Sequence, residues 1–286
     1  MDRGPAVSRI RIVHHTGYTY DEPALASFNE ARMVPCTDAD QRLLEHRLEI
    51  SPKSWTQEYI DYWGTSVVAF ELHQPHTRLD VTSSSTVEVS RLGLGGLGMT
   101  WEDITSPVVE DRFAEFLSIS PRVDPGPELR DALSGLLLES RGPGDFAPRV
   151  GAFIHDRVGY VSGSTTVHTR AAEAWATRQG VCQDLAHLMI GALRVAHVPA
   201  RYVSGYIMPD GKAEVGQTLA GESHAWVEYW DGRWLGYDPT NAVEPGDMHV
   251  RVGSAPDYAG IAPLRGIFSG GPGSELFVRV EVTLLG

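Results

Sequence analysis

Within the first 90 residues several short segments place apolar residues at every second position. Arg9-Ile10-Arg11-Ile12-Val13, Leu48-Glu49-Ile50, Leu79-Asp80-Val81 and Thr86-Val87-Glu88-Val89 alternate, a period that predicts half-buried strands. Val67-Val68-Ala69-Phe70-Glu71-Leu72 is a denser apolar run and predicts a further strand. Pro23, Pro35, Pro52, Gly64 and Pro75 punctuate these segments, as expected of an antiparallel sheet or sandwich. Gly93-Leu94-Gly95-Gly96-Leu97-Gly98 follows without the Lys-Ser or Lys-Thr pair of a phosphate-binding loop, so it reads as a flexible connector. From Pro107 the period lengthens. Val108, Phe113, Phe116 and Leu117 fit one short helix, and Leu129, Leu133, Leu136 and Leu137 a second. Phe146, Val150, Phe153 and Ile154 fit a third, separated from the second by Gly142-Pro143-Gly144. Leu276 to Leu284 alternates again and predicts a terminal strand.

Composition narrows the class. The chain has 286 residues, 42% apolar and 21% charged, with a formal charge of −13. That acidity disfavours nucleic acid and anionic membrane surfaces as partners. Two cysteines, Cys36 and Cys182, exclude a disulfide-dense scaffold and a zinc site of three or four thiolates. No apolar stretch reaches membrane-spanning length, and the N-terminus lacks a basic segment followed by an apolar one. The expectation is a soluble cytoplasmic protein.

The chemistry concentrates between Gln179 and Asp238. Gly180-Val181-Cys182-Gln183-Asp184-Leu185-Ala186-His187 opens a helix whose buried stripe is Leu185, Leu188, Met189, Ala192 and Val195, stopped before Pro199. Cys182 then lies in the first turn, where unpaired N–H groups and the helix dipole favour a thiolate. Asp184 complements the dipole and caps neighbouring N–H groups, or orients a substrate amine. His187 is about 500° round the helix from Cys182 and projects elsewhere on the surface. Cys36 has no comparable setting. The pairs His14-His15 and His73/His76 lack partners at metal-ligand spacing and read as surface or loop residues.

Ser223-His224-Ala225-Trp226-Val227-Glu228-Tyr229-Trp230, Asp231-Gly232 and Arg233-Trp234-Leu235-Gly236-Tyr237-Asp238 read as a hairpin. A two-residue loop sets His224 opposite Pro239 and turns Asp238 to the other face. A three-residue loop, Trp230-Asp231-Gly232 with Gly232 left-handed, sets His224 opposite Asp238 with Cβ atoms about 4.5–5.5 Å apart. The second register is expected because it brings the two polar residues together. Cys182, His224 and Asp238 would then supply nucleophile, base and orienting carboxylate, with the oxyanion facing the Cys182 N–H. Trp175 and Gln179 are candidates for a second oxyanion donor. Tyr160 and Trp226 are candidates for lining the substrate channel, and the polar loop Ser162-Gly163-Ser164-Thr165-Thr166 for gating it.

Four separated blocks carry a family resemblance. They are Gly180 to His187, Pro199-Ala200-Arg201-Tyr202-Val203-Ser204-Gly205-Tyr206, His224-Ala225-Trp226-Val227-Glu228 and Asp238-Pro239-Thr240-Asn241. In order and spacing they resemble the bacterial transglutaminase-like superfamily. Tyr18, Tyr20, Pro23, Arg32 and Pro35 resemble its accompanying N-terminal region, and Asp257-Tyr258 with Pro263-Leu264-Arg265-Gly266 its tail. Tyr62-Trp63-Gly64-Thr65 departs from that region's Asp-x-x-Gly-Asn turn. The resemblance implies an α+β fold: an N-terminal antiparallel β domain over 1–98, then a papain-like transglutaminase core over 99–286 with a C-terminal strand. It implies a Cys-His-Asp triad at Cys182, His224 and Asp238, in a superfamily of cross-linking enzymes, peptidases, amidases and amide-forming enzymes. Animal cross-linking relatives need calcium, but no acidic loop here has that spacing.

The function expected is a cysteine-dependent enzyme acting on amide or thioester bonds of a peptide, protein or small amide. It would work through an acyl-enzyme and use no cofactor. Hydrolysis and transfer to an amine share the triad and differ in how the site treats water. Two other classes remain: a zinc site built from Cys182, His224 and Asp238, with or without His187, and a non-catalytic binding module on the same fold.

Overall fold

The structure is a computed structural model and describes residues 7–91, 93, 95–208 and 214–286. The strands β1 (Ser8–Ala24), β2 (Ala26–Ala31), β3 (Gln41–Ser51), β4 (Trp55–Ile60), β5 (Ser66–Leu72) and β6 (His76–Val89) come first. The helices α1 (Trp101–Ile104), α2 (Pro107–Arg112), α3 (Ala114–Leu117), α4 (Gly126–Glu139) and α5 (Pro143–His155) follow. Then come β7 (Gly159–Tyr160), α6 (Ala171–Thr177), β8 (Gln179–Gly180) and α7 (Cys182–Val195). The chain ends with β9 (Ala200–Ile207), β10 (Thr218–Trp230), β11 (Trp234–Tyr237), β12 (His249–Ala255), β13 (Leu264–Ser269) and β14 (Ser274–Leu284).

An eight-stranded sheet runs β12-β9-β10-β14-β1-β6-β3, with β11 paired to β10. A second sheet runs β13-β2-β5-β4. The fold is α+β, with the helices packed on the β9–β12 end of the large sheet. The terminal strand β14 lies between β1 and β10, so it joins the N-terminal strands to those that carry the chemistry. The two alternating segments around Leu79 and Thr86 form one strand, β6, because the polar run Thr82 to Ser85 keeps the same alternation. The predicted helix over Val108–Leu117 is two short helices with Phe113 at the break.

Three expectations are corrected by packing. The glycine-rich connector does not hang free, because Leu97, Gly98 and Met99 donate backbone N–H groups to Asp231 in the β10–β11 loop. Of the four histidines read as surface or loop, His14 and His76 are buried, and His14 meets the Tyr206 hydroxyl at 3.0 Å. The turn after β4 keeps the aspartate: Asp61 Oδ1 accepts from Trp63 N and Thr65 N, and Gly64 adopts φ +81°. The Asp-x-x-Gly turn is therefore present, with threonine in its last position.

Helix α7 is more deeply embedded than a one-sided stripe requires. Every residue from Gln183 to Arg194 is buried. Its apolar side chains join Phe146, Val150 and Ile154 of α5 and Ala225, Val227 and Tyr229 of β10 in one core. At its C-terminal end the Arg194 guanidinium donates to the carbonyls of Ser118, Ala200 and Pro256 at 2.6–2.8 Å, tying three segments to the helix. Gly191 marks a close approach, since a Cβ there would lie 1.8 Å from the Val123 carbonyl oxygen. Helix propensity alone would favour alanine by about 1 kcal/mol. Overpacking against backbone opposes this and wins, so Gly191→Ala is expected to destabilise the fold by about 3 kcal/mol in urea unfolding. An unchanged or higher urea midpoint would contradict this packing.

Candidate functional site

The site begins where α7 begins. Val181 is extended, and its N–H donates to Asp184 Oδ2 at 2.8 Å, which fixes the first turn and places Cys182 at its head. Thr165 Oγ1 also donates to Asp184 Oδ2, at 2.6 Å, so Asp184 ties the polar loop to the helix start. Burial pushes the Asp184 carboxyl up, against the lowering effect of these two hydrogen bonds. Cys182 is half-buried in a cleft walled by Tyr160, Ser162, Val181, Glu222 and Ser223.

His224 comes from β10, which pairs with β14 over Thr218–Gly221 and with β9 over Glu222–Tyr229. The strand therefore changes partners just before His224. The hairpin register is neither of the two weighed from sequence. Trp230 pairs with Trp234 and Val227 with Tyr237 around the loop Asp231-Gly232-Arg233, with Gly232 at φ +77°. Relative to the expected register, β11 is displaced by two residues, which keeps every side chain on its face. Asp238 thus stays on the side of His224, now as a diagonal neighbour, and the contact survives. His224 Nε2 lies 2.7 Å from Asp238 Oδ2.

Asp238 is fully buried and saturated. Oδ1 accepts from the backbone N–H groups of Thr240 and Asn241. Oδ2 accepts from Asn241 Nδ2 at 2.7 Å and faces His249 Nε2 at 3.2 Å as well as His224. Burial alone would raise this carboxyl; the donors, His224 and His249 first, hold it well below the ordinary carboxylate range. Burial alone would likewise lower His224. Hydrogen bonds to Asp238 and to Cys182, with the negative charge of both, raise it instead to about 10. Because Nε2 is taken by Asp238, Nδ1 is left for Cys182.

The remaining candidates divide. Tyr160 stands in the cleft with Cys182, and its hydroxyl donates to Glu222 Oε2 at 2.9 Å. Trp226 is buried behind the histidines, its ring edge-on to His249 at 5.4 Å. Trp175 lies in the helical core, stacked on Phe153 at 6.0 Å, and Gln179 is exposed on β8 opposite Gly159. Neither borders the cleft. Arg201 pairs with Glu228 at 2.6 Å and covers the Trp234 ring. His187 is fully buried rather than on the surface: Nε2 accepts from the Tyr258 N–H at 3.2 Å. Burial, then the charges of Arg122 and Arg194, lower it to about 3, so it stands apart as a neutral structural group. Cys36, beside Asp38, is pushed up to about 12 by burial first and then by the Asp38 and Glu228 charges, against the pull of Arg251.

His249, at the start of β12, is the site residue that sequence reasoning missed. Among the described residues, the ligand atoms of His224, Asp238 and His249 lie within 4.8 Å of one another, a set without Cys182. The Gly246 N–H points at His249 Nδ1 at 3.2 Å. A backbone N–H only donates, so Nδ1 is the bare nitrogen and Nε2 carries the hydrogen. An imidazole bound to a metal through Nε2 would instead turn a proton at Nδ1 toward that N–H. The arrangement is a hydrogen-bonded cluster, and it does not suit the zinc alternative.

A thiol at a helix start and an imidazole held by a buried carboxylate, on a helix cluster packed against an antiparallel sheet, define the class of papain-like cysteine folds. The chain belongs to the transglutaminase-like superfamily. Residues 135–239 match that superfamily, and residues 10–88 match the bacterial transglutaminase-like N-terminal region. An uncharacterized protein of Mycobacterium leprae is 42% identical over 97% of this chain and 99% of its own length. A protein-glutamine gamma-glutamyltransferase of Pseudomonas aeruginosa is 41% identical over 24% of this chain and 11% of its own length. The crystal structure of a candidate cysteine protease from Cytophaga hutchinsonii shares the fold with a TM-score of 0.77. It is 22% identical, and the match covers 98% of this chain and 92% of that one.

Proposed function

We propose that the protein is a cysteine-dependent enzyme that cleaves an amide or thioester bond through an acyl-enzyme on Cys182. The 2.7 Å contact of the buried Asp238 with His224, whose other nitrogen serves Cys182, carries this reading. Cys182 Sγ attacks the acyl carbon as its proton resides on His224. The S–C bond forms, the C–N or C–S bond breaks, and the imidazolium protonates the departing amine or thiol. Water or a second amine then attacks the thioester, gives its proton to His224 and releases Cys182 with the new bond formed. Asp238 holds the imidazole by Nε2 and stabilises its charge. The backbone N–H of Cys182 faces the oxyanion. Local similarity to a glutamine gamma-glutamyltransferase favours an amine as one acceptor.

Iodoacetamide labelling across pH with peptide mapping tests the reading. Cys182 stands in the cleft beside a His224 held charged to about 10, so it should alkylate readily at neutral pH. Cys36, pushed up to about 12, should stay unlabelled there. Equal labelling of the two cysteines would remove the activated thiol.

A further inference from the structure

We propose that His249 is a positioning residue of this site, a neutral imidazole that fixes the Asp238 carboxylate and, through it, the ring of His224. The inference rests on the reading of Cys182, His224 and Asp238 given above. His249 is buried, with Nε2 3.2 Å from Asp238 Oδ2 and Nδ1 facing the Gly246 N–H. That N–H assigns the tautomer, so the contact to Asp238 is an N–H donated to a carboxylate by an uncharged ring. A second positive charge would be out of place. His224 already shares the same oxygen, and the Arg91 guanidinium donates to the His249 carbonyl at 3.1 Å. Burial, ahead of the influence of these two charges, lowers His249 and keeps it neutral, whereas Asp238 acts in the opposite sense. Trp226 lies edge-on to the ring and sets its plane.

The consequence is geometric. With His224, His249 and Asn241 on Oδ2 and two backbone N–H groups on Oδ1, the carboxylate has one orientation. Without the His249 N–H, Oδ2 loses one of its three donors, the carboxylate turns toward the remaining two, and His224 follows it away from its place beside Cys182. Two imidazoles on one oxygen thus have different duties: one exchanges a proton with the thiol, and the other keeps its proton and holds the acid still.

The test uses the full chain with His249→Phe and His249→Gln. The readouts are the iodoacetamide rate of Cys182 across pH and the nitrogen-15 spectrum of the wild-type histidines. The phenylalanine variant should alkylate about tenfold more slowly at neutral pH, the scale of one hydrogen bond to a charged group. Glutamine places an amide N–H at the reach of Nε2 and an oxygen for Gly246, and should restore most of the rate. A ring that merely filled space would be replaced as well by phenylalanine. In the wild-type spectrum His249 should show a protonated Nε2 and a bare Nδ1 at neutral pH and above. That measurement stands even if the phenylalanine variant fails to fold. Wild-type rate in the phenylalanine variant, equal deficiency in both variants, or a doubly protonated His249 at neutral pH would overturn the assignment of His249 alone. A Cys182 rate unaffected by His224→Gln would overturn the triad, and this inference with it.

Discussion

Cys182→Ala is expected to lower turnover of the activated acyl ester p-nitrophenyl acetate by at least about a thousandfold, because removal of a triad nucleophile leaves only binding and oxyanion contacts. The substitution is mild for the fold. Cys182 is half-buried, opens α7 and donates none of the hydrogen bonds that cap it, which belong to Val181, Asp184 and Thr165. Alanine suits a helix. Far-ultraviolet circular dichroism should therefore be unchanged while the burst of p-nitrophenolate disappears. Cys36→Ala provides the control. Its thiol, beside Asp38 and pushed up to about 12, is a poor nucleophile at neutral pH, so turnover should match wild type. Retention of more than a tenth of wild-type turnover by Cys182→Ala, or loss of activity with Cys36→Ala, would place the nucleophile elsewhere.

What the sequence made legible, and what it hid, follows from the range of the forces involved. The start of α7 could be read because its signals are local: a glycine, an extended residue, an acid at the third helical position and a long apolar repeat. The hairpin was legible in its parity and not in its register. Asp-Gly suits several loops, and the aromatic pair Trp230–Trp234 across the turn, packed on Phe113, settles the pairing from outside the hairpin. An error of two residues was harmless because the strand period is two, whereas an error of one would have carried Asp238 to the opposite face. His249 had no local signal. It begins an alternating segment like many others, and it meets Asp238 only because β12 crosses back to pair with β9. The burial of His187 was hidden for the same reason, since Tyr258 and Tyr202 cover it from distant parts of the chain. The N-terminal strands were legible one by one, but their union with the chemical strands depends on β14, whose partners are set by the whole sheet.

Asp238→Asn should be nearly as damaging as loss of the nucleophile, and for a reason visible in the donors around it. Oδ2 receives His224, His249 and Asn241, and Oδ1 receives two backbone N–H groups. An amide must turn its NH2 toward one of these sets, so donors face donors whichever way it lies. The set around Oδ2 can yield only if His224 moves its proton to Nδ1, the nitrogen that should receive the Cys182 proton. Inverting that tautomer in a Ser-His-Asp triad lowers turnover by about four orders of magnitude, and a loss of at least about a thousandfold is expected here. Stability supplies an independent readout. His224 is raised from 6.5 to about 10 in the folded protein, so its contribution is fully present below about pH 6.5 and is lost as pH rises through about 10. Wild-type protein should therefore lose urea stability across that interval. Without the carboxylate, Cys182 alone is left to oppose the burial that pushes His224 down, and the alkaline decline should shrink in the variant. It should also alkylate Cys182 more slowly than wild type at neutral pH. An Asp238→Asn protein that kept both the wild-type decline and the wild-type alkylation rate would show that the carboxylate does not hold the imidazole.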